Sequence, residues 1–175
     1  MKRRTEVMKK NQGFSLIELI VVIAIMAILV GVLAPAYLRY VEKSRRSTDV
    51  DTVSEIMGAA EKVASEAQYD QYIEPGTTFT IEVASDYTFE LSTTSTDTDD
   101  RVVDAWTAMS NNSANVKLTS KAFKANSGSS TVVGTVGNDG NITWAGSGLF
   151  AKGQTDKEGE YFTSYSPDFE KKLNS

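Results

Sequence analysis

The side chains that could do chemistry are few, and they do not make a catalytic constellation. Asp97, Asp99, Asp100 and Asp104 form the densest carboxylate group, and alternating aspartates can open a calcium loop. Such a loop would need a ligand at the position of Arg101, a glycine where Val102 stands and a glutamate at its end, none of which is present. A surface loop with a helix cap from Asp99 or Asp100 is the expectation instead. Gly146-Ser147-Gly148 lacks the flanking pattern of a phosphate loop or a nucleophile elbow and reads as a turn. Asn111 with Ser113 and Asn141 with Thr143 satisfy the N-glycosylation triplet, which is short enough to arise by chance; both read as ordinary loop or strand residues. Cysteine and histidine are absent. That excludes disulfides, thiol nucleophiles, zinc sites of the Cys/His kind and Ser/His/Asp triads, and no metal or cofactor is expected.

The one carboxylate in an unusual place is Glu18. It heads the run from Leu19 to Leu38, which contains no charged residue. At about 1.5 Å of helix per residue, twenty such residues cover about 30 Å, one hydrocarbon layer. A core helix of a soluble protein normally keeps a polar face, and this run has none. A carboxylate at the edge of a membrane helix costs up to about 3 kcal/mol if it sits deep and charged, which asks for a partner. The sequence offers Glu18 none within a helical turn on either side, so an external partner is expected. Ala34-Pro35-Ala36 also matches a signal-peptidase site, and cleavage there would release a soluble binding protein beginning at Tyr37. The apolar run is longer than the usual signal core of about 7 to 15 residues, and a signal peptide has no use for Glu18.

Ahead of the run, Lys2, Arg3, Arg4, Lys9 and Lys10 face only Glu6, and Met8 would also serve as a start. With this basic stretch in front, Gly13-Phe14-Ser15-Leu16-Ile17-Glu18-Leu19 resembles the processing site of type IV prepilins and pseudopilins. The resemblance covers roughly residues 8 to 60; Gln12 departs from the commoner lysine or arginine before the glycine. It implies a leader over 1–13 and cleavage between Gly13 and Phe14 by a membrane prepilin peptidase, with N-methylation of Phe14. It implies that Glu18 pairs with the terminal amine of a neighbouring subunit. The implied partners are copies of the chain itself in a helical homopolymer, the prepilin peptidase, a platform protein, a cytoplasmic assembly ATPase and the membrane.

Arg39, Lys43, Arg45 and Arg46 follow the apolar run almost as densely as the leader's charges precede it, so the positive-inside rule is nearly balanced. A short leader before a long polar region favours the leader in the cytoplasm. From Ser47 onward, 20 acidic residues outnumber 9 basic ones, and the basic ones are scattered. Nucleic-acid binding, which needs a concentrated positive surface, is disfavoured.

The positioning elements follow from periodicity. Residues 14–38 read as a transmembrane and filament-core helix, with Gly31 and Pro35 expected to kink or weaken it. An amphipathic continuation over 39–68 carries the stripe Val53, Ile56, Met57, Ala60, Val63, Ala64 and Ala67. The head, 69–175, is expected to hold a hairpin of Phe79, Ile81 and Val83 with Tyr87, Phe89 and Leu91, turned by Ser85-Asp86. A short helix should then bury Val102, Val103, Trp106 and Met109. Further strands are expected over Val116–Ala125, Thr131–Val136 and Ile142–Ala145, with Asn138-Asp139-Gly140 turning the last two. Ser92–Thr98 and Asn126–Ser130 read as polar loops. A long helix on an antiparallel sheet is an α+β fold, and the resemblance implies the pilin arrangement of it. The expected function is a non-enzymatic filament subunit, held in the cytoplasmic membrane and then carried on the cell surface. A pseudopilin of a type II secretion or competence machine is the alternative within the same class.

Overall fold

The computed structural model describes residues 13–110, 115–128, 130–152 and 161–173. Helix α1 spans Leu16–Ala64, followed by β1 (Thr78–Val83), β2 (Phe89–Thr93), α2 (Arg101–Met109) and α3 (Lys121–Ala125). Strands β3 (Thr131–Val136) and β4 (Ile142–Gly146) come next, then a 3-10 turn at Gly148–Phe150 and two short helices, α4 (Phe162–Tyr165) and α5 (Pro167–Lys172). The chain divides at Tyr40 into an N-terminal unit and a head that begins at Val41.

The expected α+β layout of a long N-terminal helix and an antiparallel sheet is present. The four strands lie in the order β2-β1-β3-β4, with every pairing antiparallel. The hairpin of β1 and β2 and the strands at Thr131–Val136 and Ile142 onward are where periodicity put them. Gly140 supplies the left-handed residue of the β3–β4 turn, at φ 79°, and the Gly137 N–H donates to the Asn141 carbonyl at 2.8 Å.

Tyr87 is not a strand residue. It sits at φ 71° in the β1–β2 turn, because the Asp86 carboxylate accepts from the Thr88 N–H at 3.1 Å and holds the turn open as far as Thr88. The strand expected over Val116–Ala125 is also absent. Ser120 caps α3 there, its hydroxyl accepting from the Phe123 N–H at 3.2 Å, and this cap overrides the strand propensity of the segment. At the end of α1 the helix stops at Ala64, short of Gln68. Ser65 and Glu66 donate their N–H groups to the carbonyls of Lys62 and Val63, the tighter spacing that closes a helix, and Ala67 is exposed.

The core of the head joins three layers of sequence. Val53, Ile56, Met57, Ala60 and Val63 of α1 are buried together with Phe79 and Ile81 of β1, Phe89 of β2, Val132 of β3 and Trp144 of β4. From α2, Val102 and Trp106 are fully buried, while Met109 is only partly so. The Trp106 ring meets Phe79 edge-on at 5.1 Å, and its indole N–H donates to the Ile56 carbonyl at 2.8 Å, so the α2 anchor also finds a polar partner in α1.

Gly134 lies opposite Trp144 in the β3–β4 register. A Cβ at Gly134 would stand 2.6 Å from Ile142 Cγ2 and 2.7 Å from the Trp144 ring, inside any tolerable contact. Gly134→Ala is therefore expected to destabilise the head by about 1–3 kcal/mol through overpacking. A urea melt of the purified chain, read by near-UV circular dichroism, checks this; an unchanged midpoint would mean that the Trp144 ring moves aside freely.

Candidate functional site

In the N-terminal unit Gly13 and Phe14 are open. Among the described residues, nothing other than its chain neighbours lies within 4 Å of a Cβ built on Gly13, and Phe14 is 95% exposed. The chain enters α1 through Ser15. The Ser15 hydroxyl accepts from the Ile17 N–H at 3.3 Å, and the Ser15 N–H donates to Glu18 Oε2 at 2.8 Å. The Ser15-Leu16-Ile17-Glu18 sequence thus makes the glutamate half of a capping box, with the carboxylate also lying at the positive end of the helix. The expectation that Glu18 lacks an internal partner is corrected here. The S-x-x-E spacing was visible in the sequence, and the backbone N–H of Ser15 is the partner that side-chain reasoning overlooked.

Past Glu18 the helix turns apolar side chains outward on every side. Leu19, Ile20, Val21, Val22, Ile23 and Ile25 are all exposed, as are Leu33, Tyr37 and Leu38 further on. The helix is long and apolar enough to cross a membrane, and none of its most apolar window is buried within the chain. Helix α1 continues through both Gly31 and Pro35 without a break. Pro35 removes one backbone donor, and its ring is directed at the carbonyl four residues earlier, which belongs to Gly31. Among the described residues, no atom beyond the helix's own backbone and the adjacent residues lies within 4 Å of a Cβ built on Gly31, so this glycine leaves one side of the helix open for another backbone to approach.

In the head stands a pair of carboxylates that periodicity does not single out. Asp49 is 2% exposed and Glu42 partly buried, both on α1 and two turns apart. Asp49 accepts from the N–H groups of Thr119 and Ser120 at 2.8 Å each and from the Thr119 hydroxyl at 2.8 Å. Glu42 Oε1 accepts from the Ser120 hydroxyl at 2.6 Å and the Ala122 N–H at 3.2 Å. Together they fasten the 119–122 segment to α1. The same segment reaches the β1–β2 turn, where Leu118 donates its N–H to the Tyr87 carbonyl at 2.9 Å and Lys117 pairs with Asp86 at 2.8 Å.

The electrostatics of the two carboxylates differ. Burial pushes the Asp49 carboxyl above the ordinary aspartate range, outweighing the hydrogen bonds from Ser120 and Thr119 and the charge of Lys124. Burial pushes Glu42 the same way, but the Ser120 hydroxyl, the Ala122 and Lys121 N–H groups and the Arg46 charge together hold it below the usual value. A sequence signal did exist: Asp49 interrupts the buried face that Val50 and Val53 begin, and a charge there asks for buried donors.

Two of the aspartates around α2, Asp97 and Asp99, are occupied locally. Asp97 Oδ2 accepts from the Val102 N–H at 3.0 Å and Asp97 Oδ1 from the Asp99 N–H at 3.2 Å, while Asp99 pairs with Arg101. The carboxylate serving the start of α2 is Asp97, not Asp99 or Asp100 as expected, because Asp100 adopts φ 56° and its side chain makes no cap hydrogen bond. Asn141 is tied to Asp139 through its backbone and side-chain N–H groups, at 3.1 and 2.7 Å, while Asn111 lies outside the described residues.

Residues 8–34 match the family model described as the prokaryotic N-terminal methylation motif, which is the type IV prepilin-like signal. The match spans Gly13, Phe14, Glu18 and Gly31 and stops one residue short of Pro35. No solved structure matches the chain.

Proposed function

We propose that the chain is the structural subunit of a type IV pilus or pilus-like filament, cleaved between Gly13 and Phe14, N-methylated at Phe14 and polymerised through its N-terminal helix. One observation carries this reading. The prepilin-like signal runs into a helix whose apolar side chains, within the match and just past it, are exposed on all sides. Burying a Leu, Ile or Val side chain is worth about 1.5–3 kcal/mol, so such a helix stays in lipid or among copies of itself. The two environments correspond to a stored subunit and an assembled one.

The partners this reading brings are the prepilin peptidase, a platform protein, an assembly ATPase and further copies of the chain. A pseudopilin of a secretion or competence machine uses the same signal and the same helix, and the abundance of surface filaments separates the two. If filaments sheared from cells contain this chain as their main component, the pilus reading holds.

Processing supplies the direct test. Mass spectrometry of the native amino terminus should find Phe14 carrying one added methyl group, and Gly13→Leu should leave the precursor uncleaved. A terminus at Tyr37 would instead establish release as a soluble protein. In an assembled filament the backbone around Gly31 and Pro35 is expected to lose part of its helical hydrogen bonding, since neighbours can replace the missing contacts there.

A further inference from the structure

The apolar run closes at Tyr37-Leu38, and Arg39 and a second tyrosine, Tyr40, follow directly beyond it. Tyr37 is 66% and Tyr40 72% exposed, and Arg39 is exposed as well. Residues three apart on a helix share a face, so the two phenols stand one above the other. Their depth follows from helix geometry. Counted from the middle of the uncharged run Leu19–Leu38, Tyr37 is about 13 Å away and Tyr40 about 17 Å, at 1.5 Å per residue. The hydrocarbon layer of a bilayer ends about 15 Å from its middle. The pair therefore straddles the boundary, one ring just inside it and the other just outside.

A phenol suits that level. Its ring gains by leaving water, while its hydroxyl keeps polar partners among headgroups and their water. Arg39 lies between them in sequence, on a long apolar stem that lets its guanidinium reach lipid phosphates, to which it is complementary in charge and shape. We propose that Tyr37, Arg39 and Tyr40 form an interfacial girdle that docks on the phospholipid headgroup layer and fixes the depth at which the subunit rests before polymerisation. This rests on the reading of the preceding run as a membrane span. The girdle adds that the resting depth is set by these three side chains and not by the length of the apolar run alone. A face used only for contact with another copy would have no need of hydroxyl tips at this level.

The absence of cysteine makes the test clean, because one introduced thiol is the only thiol. The full chain, carrying either Ile28→Cys or Ala36→Cys, is nitroxide-labelled and reconstituted in phosphatidylcholine–phosphatidylglycerol vesicles. Collision with oxygen against a nickel chelate then reads label depth. The Ile28 label should lie at mid-membrane and the Ala36 label just inside the boundary. Adding Tyr37→Ala and Tyr40→Ala should move the Ala36 label by about one helical turn, about 5 Å. Adding Tyr37→Trp and Tyr40→Trp, which keep amphipathic rings, should leave it in place. An Ile28 label outside the hydrocarbon would overturn the membrane span and the girdle together. A mid-membrane Ile28 label with an Ala36 depth unchanged in the alanine pair would overturn the girdle alone, as would a tryptophan pair that shifts as far as the alanine pair. Concentration-dependent spin–spin broadening at Ala36 would show that this level faces a second copy, and would also overturn it.

Discussion

Glu18→Gln is expected to leave membrane insertion and cleavage intact and to abolish most filament assembly. The substitution is informative because glutamine is also accepted at the last position of a capping box. The acceptor for the Ser15 N–H survives, so the entry into α1 is preserved and only the charge is lost. Cleavage at Gly13 would give Phe14 a positive amine, and a neighbouring copy could place that amine beside Glu18 in a low-dielectric setting, where Coulomb attraction is far stronger than in water. Removing one partner of such a pair leaves an uncompensated charge and costs about 3–5 kcal/mol. At about 1.4 kcal/mol per factor of ten, that is more than a hundredfold in the affinity of each addition step. Sheared filament yield, set against the amount of processed subunit in the membrane, measures it. Filaments at the parent level would reduce Glu18 to a helix cap.

The second large effect is expected in the head. Asp49→Ala removes the acceptor of the Thr119 and Ser120 N–H groups, and Ser120 is itself buried. At about 1–3 kcal/mol for each orphaned donor, a loss of about 3 kcal/mol or more is expected. A urea melt of the full chain in detergent would register it, and a loss below about 1 kcal/mol would mean that water replaces the carboxylate at little cost. Asp49→Asn keeps one acceptor and should cost less. Its pH dependence has a definite sign. A carboxyl whose folded pKa is raised contributes most when protonated, below the ordinary aspartate value, and its contribution shrinks as pH rises through the raised value. The gap between the parent and Asp49→Asn should therefore narrow from acid toward neutral pH. Glu42, held below its ordinary value, acts the other way: its contribution is present above the usual glutamate range and is lost as pH falls through the depressed value. Glu42→Gln should flatten that acid loss, and a Glu42→Gln gap that grows toward acid would reverse the assignment.

What was legible in the sequence is what local rules control. The apolar run, the stripe from Val53 to Val63, the β1–β2 hairpin and the β3–β4 turn depend on composition, period and a glycine at a left-handed position, all of which act within a few residues. The misread elements are those where one side-chain hydrogen bond overrides a propensity. Ser120 turned an expected strand into α3, Asp86 lengthened a turn at the expense of Tyr87, and Asp97 displaced Asp99 and Asp100 as the carboxylate at α2. The Asp49 contacts join residues seventy positions apart, and no periodic pattern reports such a partnership. At the N-terminus the resemblance to a prepilin site singles out Gly13, Phe14 and Glu18, while the Ser15–Glu18 bond needs a backbone donor to be counted.

Four phenylalanines gather where the end of the described chain meets the head. Phe162 stacks on Phe123 at 4.4 Å between ring centres, stands edge-on to Phe150 at 4.8 Å and lies 5.4 Å from Phe169, while Lys172 pairs with Glu61 of α1 at 3.2 Å. With no cysteine in the chain, the tail of the head is fastened by burial and by non-covalent polar contacts such as the Lys172–Glu61 pair and the Thr163 hydroxyl donating to the Ala151 carbonyl. Such a fastening is indifferent to reductants and needs no oxidising partner to close. It follows temperature instead: apolar burial weakens on cooling, so this corner would loosen in the cold and re-form on warming without any covalent bond having been broken.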